Sequence, residues 1–213
     1  DLDRAAEATA ASAFGFAGQA CVSAQRVLVD RSVHDELLDR LRAIAAAVPA
    51  GDPADPGTVA GPVIDAGARD RILASIEAAV AAGARVEAGG GPVAGNVIAP
   101  TLLSGVPAEA EISCREVFGP VLTVTATDSF DQAIEIANAT EYGLQAAVFT
   151  ESLPETMAAA RRLEFGGVIF NDAPSWRADP MPYGGVKASG NTKEGPAWAA
   201  REMTEERLVV LSR

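Results

Sequence analysis

Cys21 ends the stretch Phe16-Ala17-Gly18-Gln19-Ala20-Cys21, a run of mostly small residues that follows an Ala-rich segment. A thiol just past such a turn can have an exposed sulfur and a backbone N–H free to meet a developing negative charge, which suits nucleophilic attack on a carbonyl. Free cysteines also serve as small buried hydrophobes, and Cys21 by itself leaves both roles open. The other cysteine, Cys114 in Ser113-Cys114-Arg115, reads as a bystander. His34, the only histidine, lies between Val33 and Asp35 in an expected first helical turn, where a solvated side chain is the ordinary outcome.

A second stretch, Glu116-Val117-Phe118-Gly119-Pro120, sets a carboxylate and an aromatic ring beside a Gly-Pro turn. A carboxylate accepts hydrogen bonds from both hydroxyls of a ribose, and a ring can lie against a nicotinamide; read alone, the stretch is only the start of a strand. Together with Gly18-Gln19-Ala20-Cys21 it resembles the aldehyde dehydrogenase superfamily, which carries a Gly-Gln-x-Cys nucleophile and, roughly a hundred residues later, a Glu-x-Phe-Gly-Pro cofactor motif. Asn171, the run Pro182-Tyr183-Gly184-Gly185-Val186-Lys187-Ala188-Ser189-Gly190, and the tail from Glu202-Met203-Thr204 into Leu208-Val209-Val210-Leu211 extend the resemblance along essentially the whole chain.

The resemblance implies an NAD- or NADP-dependent oxidation of an aldehyde. Cys21 adds to the carbonyl to give a thiohemiacetal, hydride passes to the nicotinamide, and the thioester is hydrolysed or, in some branches, passed to coenzyme A. Glu116 would hold the nicotinamide ribose and Phe118 would bear on the ring. Asn171, Trp176 and Arg177 are the substrate-contact candidates: Trp176 as a wall of the aldehyde entrance, Arg177 as partner of an anionic group. A Trp covering the core edge and a solvated Arg are the plainer alternatives. The wording of the 172–181 loop, with Met181-Pro182-Tyr183, is closest to branches acting on small polar or anionic aldehydes. The family's general-base Glu and the side-chain Asn of its oxyanion hole precede the nucleophile and are not among these residues, so this chain alone is expected not to turn over. Two further readings stay open: a stand-alone thiol esterase or acyltransferase, for which only His34 is at hand as base, and a non-catalytic assembly module.

With 213 residues, 48% hydrophobic and 22% charged, the chain is an ordinary globular domain. A net charge of -12 without a basic block disfavours nucleic acid and anionic membranes as partners. Two cysteines make no disulfide framework and fit a reducing cytoplasm. No metal-ligand cluster is read, and no apolar run approaches the roughly twenty residues of a membrane helix. The first residue is Asp1, and members of the resembled family are more than twice this long, with the dinucleotide-binding domain ahead of the nucleophile. The expectation is therefore a catalytic domain over residues 1–200 and a C-terminal oligomerisation strand over 201–213.

The elements that must position these groups follow from periodicity. Residues 2–13 predict a helix, with Phe14 and Phe16 as packing residues. Gln25 to Val29 is a strand, and Ser32 with Asp35 marks a helix start ahead of the stripe Val33, Leu37, Leu41, Ile44, Val48. Residues 49–62 are an irregular connection. Asp65 opens a helix that ends before Gly83, and Arg85 to Glu87 is a strand. Gly89-Gly90-Gly91 is a turn rather than a phosphate cradle, and Val97 to Ala99 a strand. Strands at 121–125, 146–149 and 168–170 then alternate with helices at 130–137 and from Ser152 to Gly166-Gly167. Such alternation predicts an α/β fold with an open, mostly parallel twisted sheet and helices on both faces. Chemistry then collects at the carboxyl ends of strands, near Asn171. An apolar strand around 207–211 would be left exposed on a lone monomer, and the resemblance pairs it across a subunit boundary, making a homo-oligomer.

Overall fold

The computed structural model describes residues 1–213. In chain order the elements are α1 (Leu2–Phe14), β1 (Arg26–Asp30), α2 (His34–Ala47), α3 (Ala66–Ala81), β2 (Arg85–Ala88), β3 (Pro92–Ala94), β4 (Val97–Ile98), β5 (Thr101–Ser104) and α4 (Glu111–Cys114). They continue with β6 (Val121–Thr127), α5 (Phe130–Asn138), β7 (Gln145–Val148), α6 (Leu153–Arg162), β8 (Gly167–Phe170) and α7 (Pro196–Glu202).

The main sheet runs β1-β6-β5-β2, with β1, β6 and β5 parallel and β2 antiparallel at one edge. Its central strands are buried on both faces, so neighbouring residues serve opposite layers. Leu102, Leu122 and Val124 pack with Phe14 of α1 and with Leu37, Leu38 and Leu41 of α2. Leu103 and Val121 pack on the other face with Ile72 and Ile76 of α3 and Ile112 of α4. Helices thus cover both faces, as the alternation of strands and helices requires. Strands β7 and β8 form a separate parallel pair covered by Ile134 of α5 and by Ala159 and Leu163. The two sheets share no hydrogen-bonded strands. Between them β1 and β7 line a common, mainly apolar cavity of about 710 Å³. No helix is long and apolar enough to cross a membrane.

Caps account for most helix starts. The Asp1, Asp65 and Ser129 side chains accept from the amides three residues on, and Ser152 accepts from Glu155 N–H as its spacing predicts. The expected cap at Ser32 is not made: its hydroxyl donates to Asp30 at 2.6 Å, and α2 starts behind Val33, which offers no side-chain acceptor. The turn chemistry of Asp30, an acceptor two residues back, outcompetes the helix amides for that hydroxyl.

Other departures have local causes. Strand β5 escapes the sequence pattern because Thr101 to Ser104 is buried on both faces and shows no alternation. Val97-Ile98 pairs with β3 in a small hairpin instead of joining the main sheet. Helix α6 stops at Arg162 with Leu163 as C-cap, before Gly166, because Gly167 already opens β8. Phe14 is fully buried, but Phe16 is 86% exposed. It lies at φ 53, turned away from the core by the tight turn behind α1. At the other end, helix α7 crosses residue 200. Residues 204–213 form no helix or paired strand, and Leu208 to Leu211 are exposed.

Candidate active site

The turn that carries Cys21 is built from strained backbone and stapled from several sides. Phe16, Ala17 and Gly18 all take positive φ. A Cβ on Gly18 would fall 2.0 Å from the Gly119 carbonyl oxygen, so the turn and the Gly119-Pro120 corner touch backbone to backbone. The two motifs, far apart in sequence, therefore meet at a pair of glycines.

Gln19 ties the turn to the 49–64 connection: its Nε2 donates to the Phe16 and Pro62 carbonyls, and its Oε1 accepts from Ile64 N–H at 2.9 Å. Behind Cys21, buried Ser12 of α1 accepts from Ala24 N–H, and Ser23 donates to the Ser12 carbonyl at 2.9 Å. Cys21 itself is exposed, and its amide N–H makes no hydrogen bond within the chain. Sulfur and free N–H stand together as carbonyl attack requires.

The loop bearing Glu116 is held by two residues that periodicity does not single out. Gln25 donates to the Ile112 and Arg115 carbonyls and accepts from Val117 N–H at 2.8 Å. Arg71 of α3 donates to the Val117 carbonyl at 2.9 Å. Val117 is buried, while Glu116 and Phe118 on either side of it face outward, Phe118 at φ 53. Glu116 and Cys21 line the same 710 Å³ cavity. Although Glu116 is exposed by area, desolvation by the walls of the cleft raises its pKa above the usual carboxylate value, with the positive charge of Arg71 pulling the other way.

The run at 182–190 contributes a contact the sequence does not announce. The Tyr183 hydroxyl lies 2.7 Å from Cys21 Sγ. Tyr183 is fixed by an antiparallel bridge to Glu194, and the Arg177 guanidinium carbon sits 4.4 Å from its ring centroid. Arg177 also stands 3.9 Å from the Glu194 carboxylate, an open contact that leaves its charge largely unpaired. Burial, then the hydrogen bond to Cys21, raise the Tyr183 pKa, so the phenol stays protonated. The aromatic position of the motif was the available signal; its phenol oxygen made the difference.

Around it the glycines close-pack: a Cβ on Gly166 would meet the Gly184 carbonyl at 1.8 Å. Lys187 donates to the Asn138 carbonyl at 2.9 Å and pairs with Glu164 at 2.7 Å, which ties the run to the end of α5.

The other candidates fall as follows. Trp176 is 49% exposed on the loop that carries Arg177. Asn171 sits at the end of β8 with positive φ, and its side-chain oxygen accepts from Thr150 N–H at 3.0 Å, so the amide is used to join the ends of β7 and β8. The largely covered His34 ring meets Asp35 at 2.7 Å on α2. Cys114 is exposed and donates to the Ala108 carbonyl. The glycines at 89–91 form a turn, in which Gly90 N–H donates to Thr101 Oγ1.

Comparison with known proteins is uniform along the chain. The model of the aldehyde dehydrogenase family matches residues 1–209. A 3-sulfolactaldehyde dehydrogenase of Priestia aryabhattai is 41% identical over 212 residues, covering 100% of this chain and 44% of that protein. Among solved structures, aldehyde dehydrogenase 21 of Physcomitrella patens, in complex with its reaction product succinate, superposes with a TM-score of 0.93 at 36% identity, over 96% of this chain and 42% of that one. Glyceraldehyde-3-phosphate dehydrogenase GapN of Methanocaldococcus jannaschii, complexed with NADP, superposes with a TM-score of 0.91 at 36% identity, over 95% and 44%. The chain spans less than half the length of these relatives.

Proposed function

Because this chain belongs to the aldehyde dehydrogenase family, we propose that it is the thiol-bearing catalytic part of an enzyme that oxidises a short anionic aldehyde to its acid with NAD or NADP. The observation that carries the reading is the meeting of the two motifs, with exposed Cys21 and Glu116 on one cavity and the Gly18 turn seated on Gly119.

In this reading Cys21 Sγ attacks the aldehyde carbon, and the oxyanion that forms turns toward the free Cys21 N–H. The nicotinamide, when bound, supplies the hydride acceptor. Glu116 suits its ribose hydroxyls, because a carboxylate offers two acceptor oxygens, and exposed Phe118 offers a ring face beside them. Hydrolysis of the thioester then frees the sulfur. The general base and the second oxyanion donor of the family would come from outside these 213 residues, so the chain by itself does not turn over. A nucleophilic thiol works only while reduced, which suits a reducing compartment such as the cytoplasm. The exposed Leu208 to Leu211 segment supports assembly into a homo-oligomer.

Arg177 suits the anionic end of such a substrate. Two contacts link it to the sulfur, through the Tyr183 ring and hydroxyl, which puts its guanidinium carbon within about 10 Å of Cys21 Sγ. That span fits an aldehyde separated from a carboxylate, sulfonate or phosphate by a few carbons. Trp176, on the same loop, would wall the entrance.

The test is turnover by the full-length parent with NAD or NADP on sulfonate-, carboxylate- and phosphate-tailed aldehydes and a neutral aldehyde of equal length. Cys21→Ala abolishes turnover. Arg177→Gln raises KM for the charged substrates by about 10- to 100-fold and leaves the neutral one unchanged. Equal KM changes for both would remove Arg177 from the substrate site. Aldehyde oxidation by the 213-residue chain alone would overturn the claim that it does not turn over by itself, and Cys21-dependent hydrolysis of a p-nitrophenyl ester together with no aldehyde oxidation by the parent would replace the dehydrogenase reading with the thiol esterase one.

A further inference from the structure

Resting on the reading of Cys21 as nucleophile, we propose that Tyr183 is part of the thiol machinery: its phenol O–H donates to Cys21 Sγ, holds the thiolate, and receives it again when the thioester breaks. The geometry is specific. Hydroxyl and sulfur are 2.7 Å apart. The ring is pinned through its backbone, by paired hydrogen bonds between Tyr183 and Glu194, and through its face, by Arg177 at 4.4 Å. The 184–185 carbonyls that follow are held by the ammonium group of Lys193. A ring that merely walled a substrate channel needs no oxygen aimed at the sulfur.

The direction of the hydrogen bond follows from acid strength. Phenols ionise about one and a half pH units above thiols, so when this pair loses a proton it comes off sulfur and the phenol becomes the sole donor. The charged groups around the pair reinforce this. Glu194, behind the ring, disfavours a phenolate, while Arg177 over the ring face favours one less strongly than burial and the sulfur oppose it. An Arg cation on a phenol face draws on the ring electrons and makes the O–H a better donor.

The donated bond stabilises the thiolate before attack. In the thioester step the C–S bond breaks, its electron pair goes to sulfur, and the same O–H meets that pair without giving up its proton. A donor of this kind lowers the pH at which the thiol becomes reactive and also reduces the intrinsic nucleophilicity of the thiolate.

The experiment needs no cofactor and uses the 213-residue chain carrying Cys114→Ser, so that one thiol remains. Alkylation of Cys21 by iodoacetamide is followed by intact mass across pH 6 to 10. With Tyr183→Phe the midpoint moves up by about one pH unit and the limiting rate at high pH increases. A second preparation tests the same bond without deleting it: in a Tyr142→Phe background, 3-fluorotyrosine at position 183 is a stronger donor and moves the midpoint down. Its fluorine resonance then titrates together with Cys21. A reactive Cys21 whose midpoint is the same with Tyr, Phe and fluorotyrosine overturns this proposal and leaves the dehydrogenase reading standing. A uniform rate increase at every pH reduces Tyr183 to a steric shield and overturns it as well. A Cys21 that never alkylates removes both.

Discussion

An alanine at position 18 would set its methyl carbon 2.0 Å from the Gly119 oxygen on a backbone already at φ 67. Neither strain can relax alone, because the collision is with main chain on one side and Phe16 and Ala17 hold left-handed conformations on the other. Gly18→Ala is therefore expected to destabilise the chain by about 2–4 kcal/mol, measured by chemical denaturation. It should also separate the nucleophile turn from the Glu116 loop, so Cys21 alkylation and dinucleotide binding by the parent would fall together. A Gly83→Ala control, with positive φ but open space around the site, should cost no more than about 1–2 kcal/mol and leave alkylation unchanged.

At the level of elements, Glu87 joins α2, β2 and β5. Its carboxylate accepts from Ser104 Oγ at 2.5 Å and from Arg42 at 2.7 Å, and its side chain is only 11% exposed. The Ser104 hydrogen bond, followed by that of Arg42, outweighs burial and lowers its pKa below the usual carboxylate value. Because the folded pKa is depressed, this stabilisation is complete above the unfolded value near 4.5 and is lost as pH falls through the folded pKa. Glu87→Gln should cost about 1–2 kcal/mol at pH 7, with the gap from wild type narrowing below about pH 4.5. Urea denaturation at pH 7 and at pH 3.5 measures both; a gap that stayed constant would show that the charge contributes nothing. Such a junction braces the far edge of the sheet while the carboxyl-end loops stay free to carry chemistry.

For the molecule as a whole, the tail is the element without a partner. Val209, Val210 and the leucines that flank them expose a run of apolar side chains that the rest of the chain leaves uncovered. Removal of residues 204–213 should leave the melting temperature of a monomer nearly unchanged, since those residues bury nothing in it. In the parent the same deletion is expected to lower the oligomeric mass measured by light scattering. An unchanged mass would place the subunit interface elsewhere.

Cys21, Glu116 and Phe118 stood out as candidates in the linear chain, because the roles proposed for them, nucleophile and cofactor contact, belong to few side-chain types. Helix α1 was legible from its Ala-rich composition, and α3 and α6 because they carry Asp65 and Ser152 where caps belong. Both are local properties. What required the tertiary structure was every contact between distant residues: Gly18 on Gly119, Gln25 and Arg71 holding the Glu116 loop, Tyr183 on the Cys21 sulfur, the Asn171 side-chain oxygen on Thr150 N–H. Strand β5 and the failed cap at Ser32 belong with these. Burial on both faces erased the alternation of β5, and a competing acceptor, Asp30, took the Ser32 hydroxyl. Side-chain chemistry is written residue by residue, whereas the choice among several possible partners depends on which backbones the packed core brings within hydrogen-bonding distance.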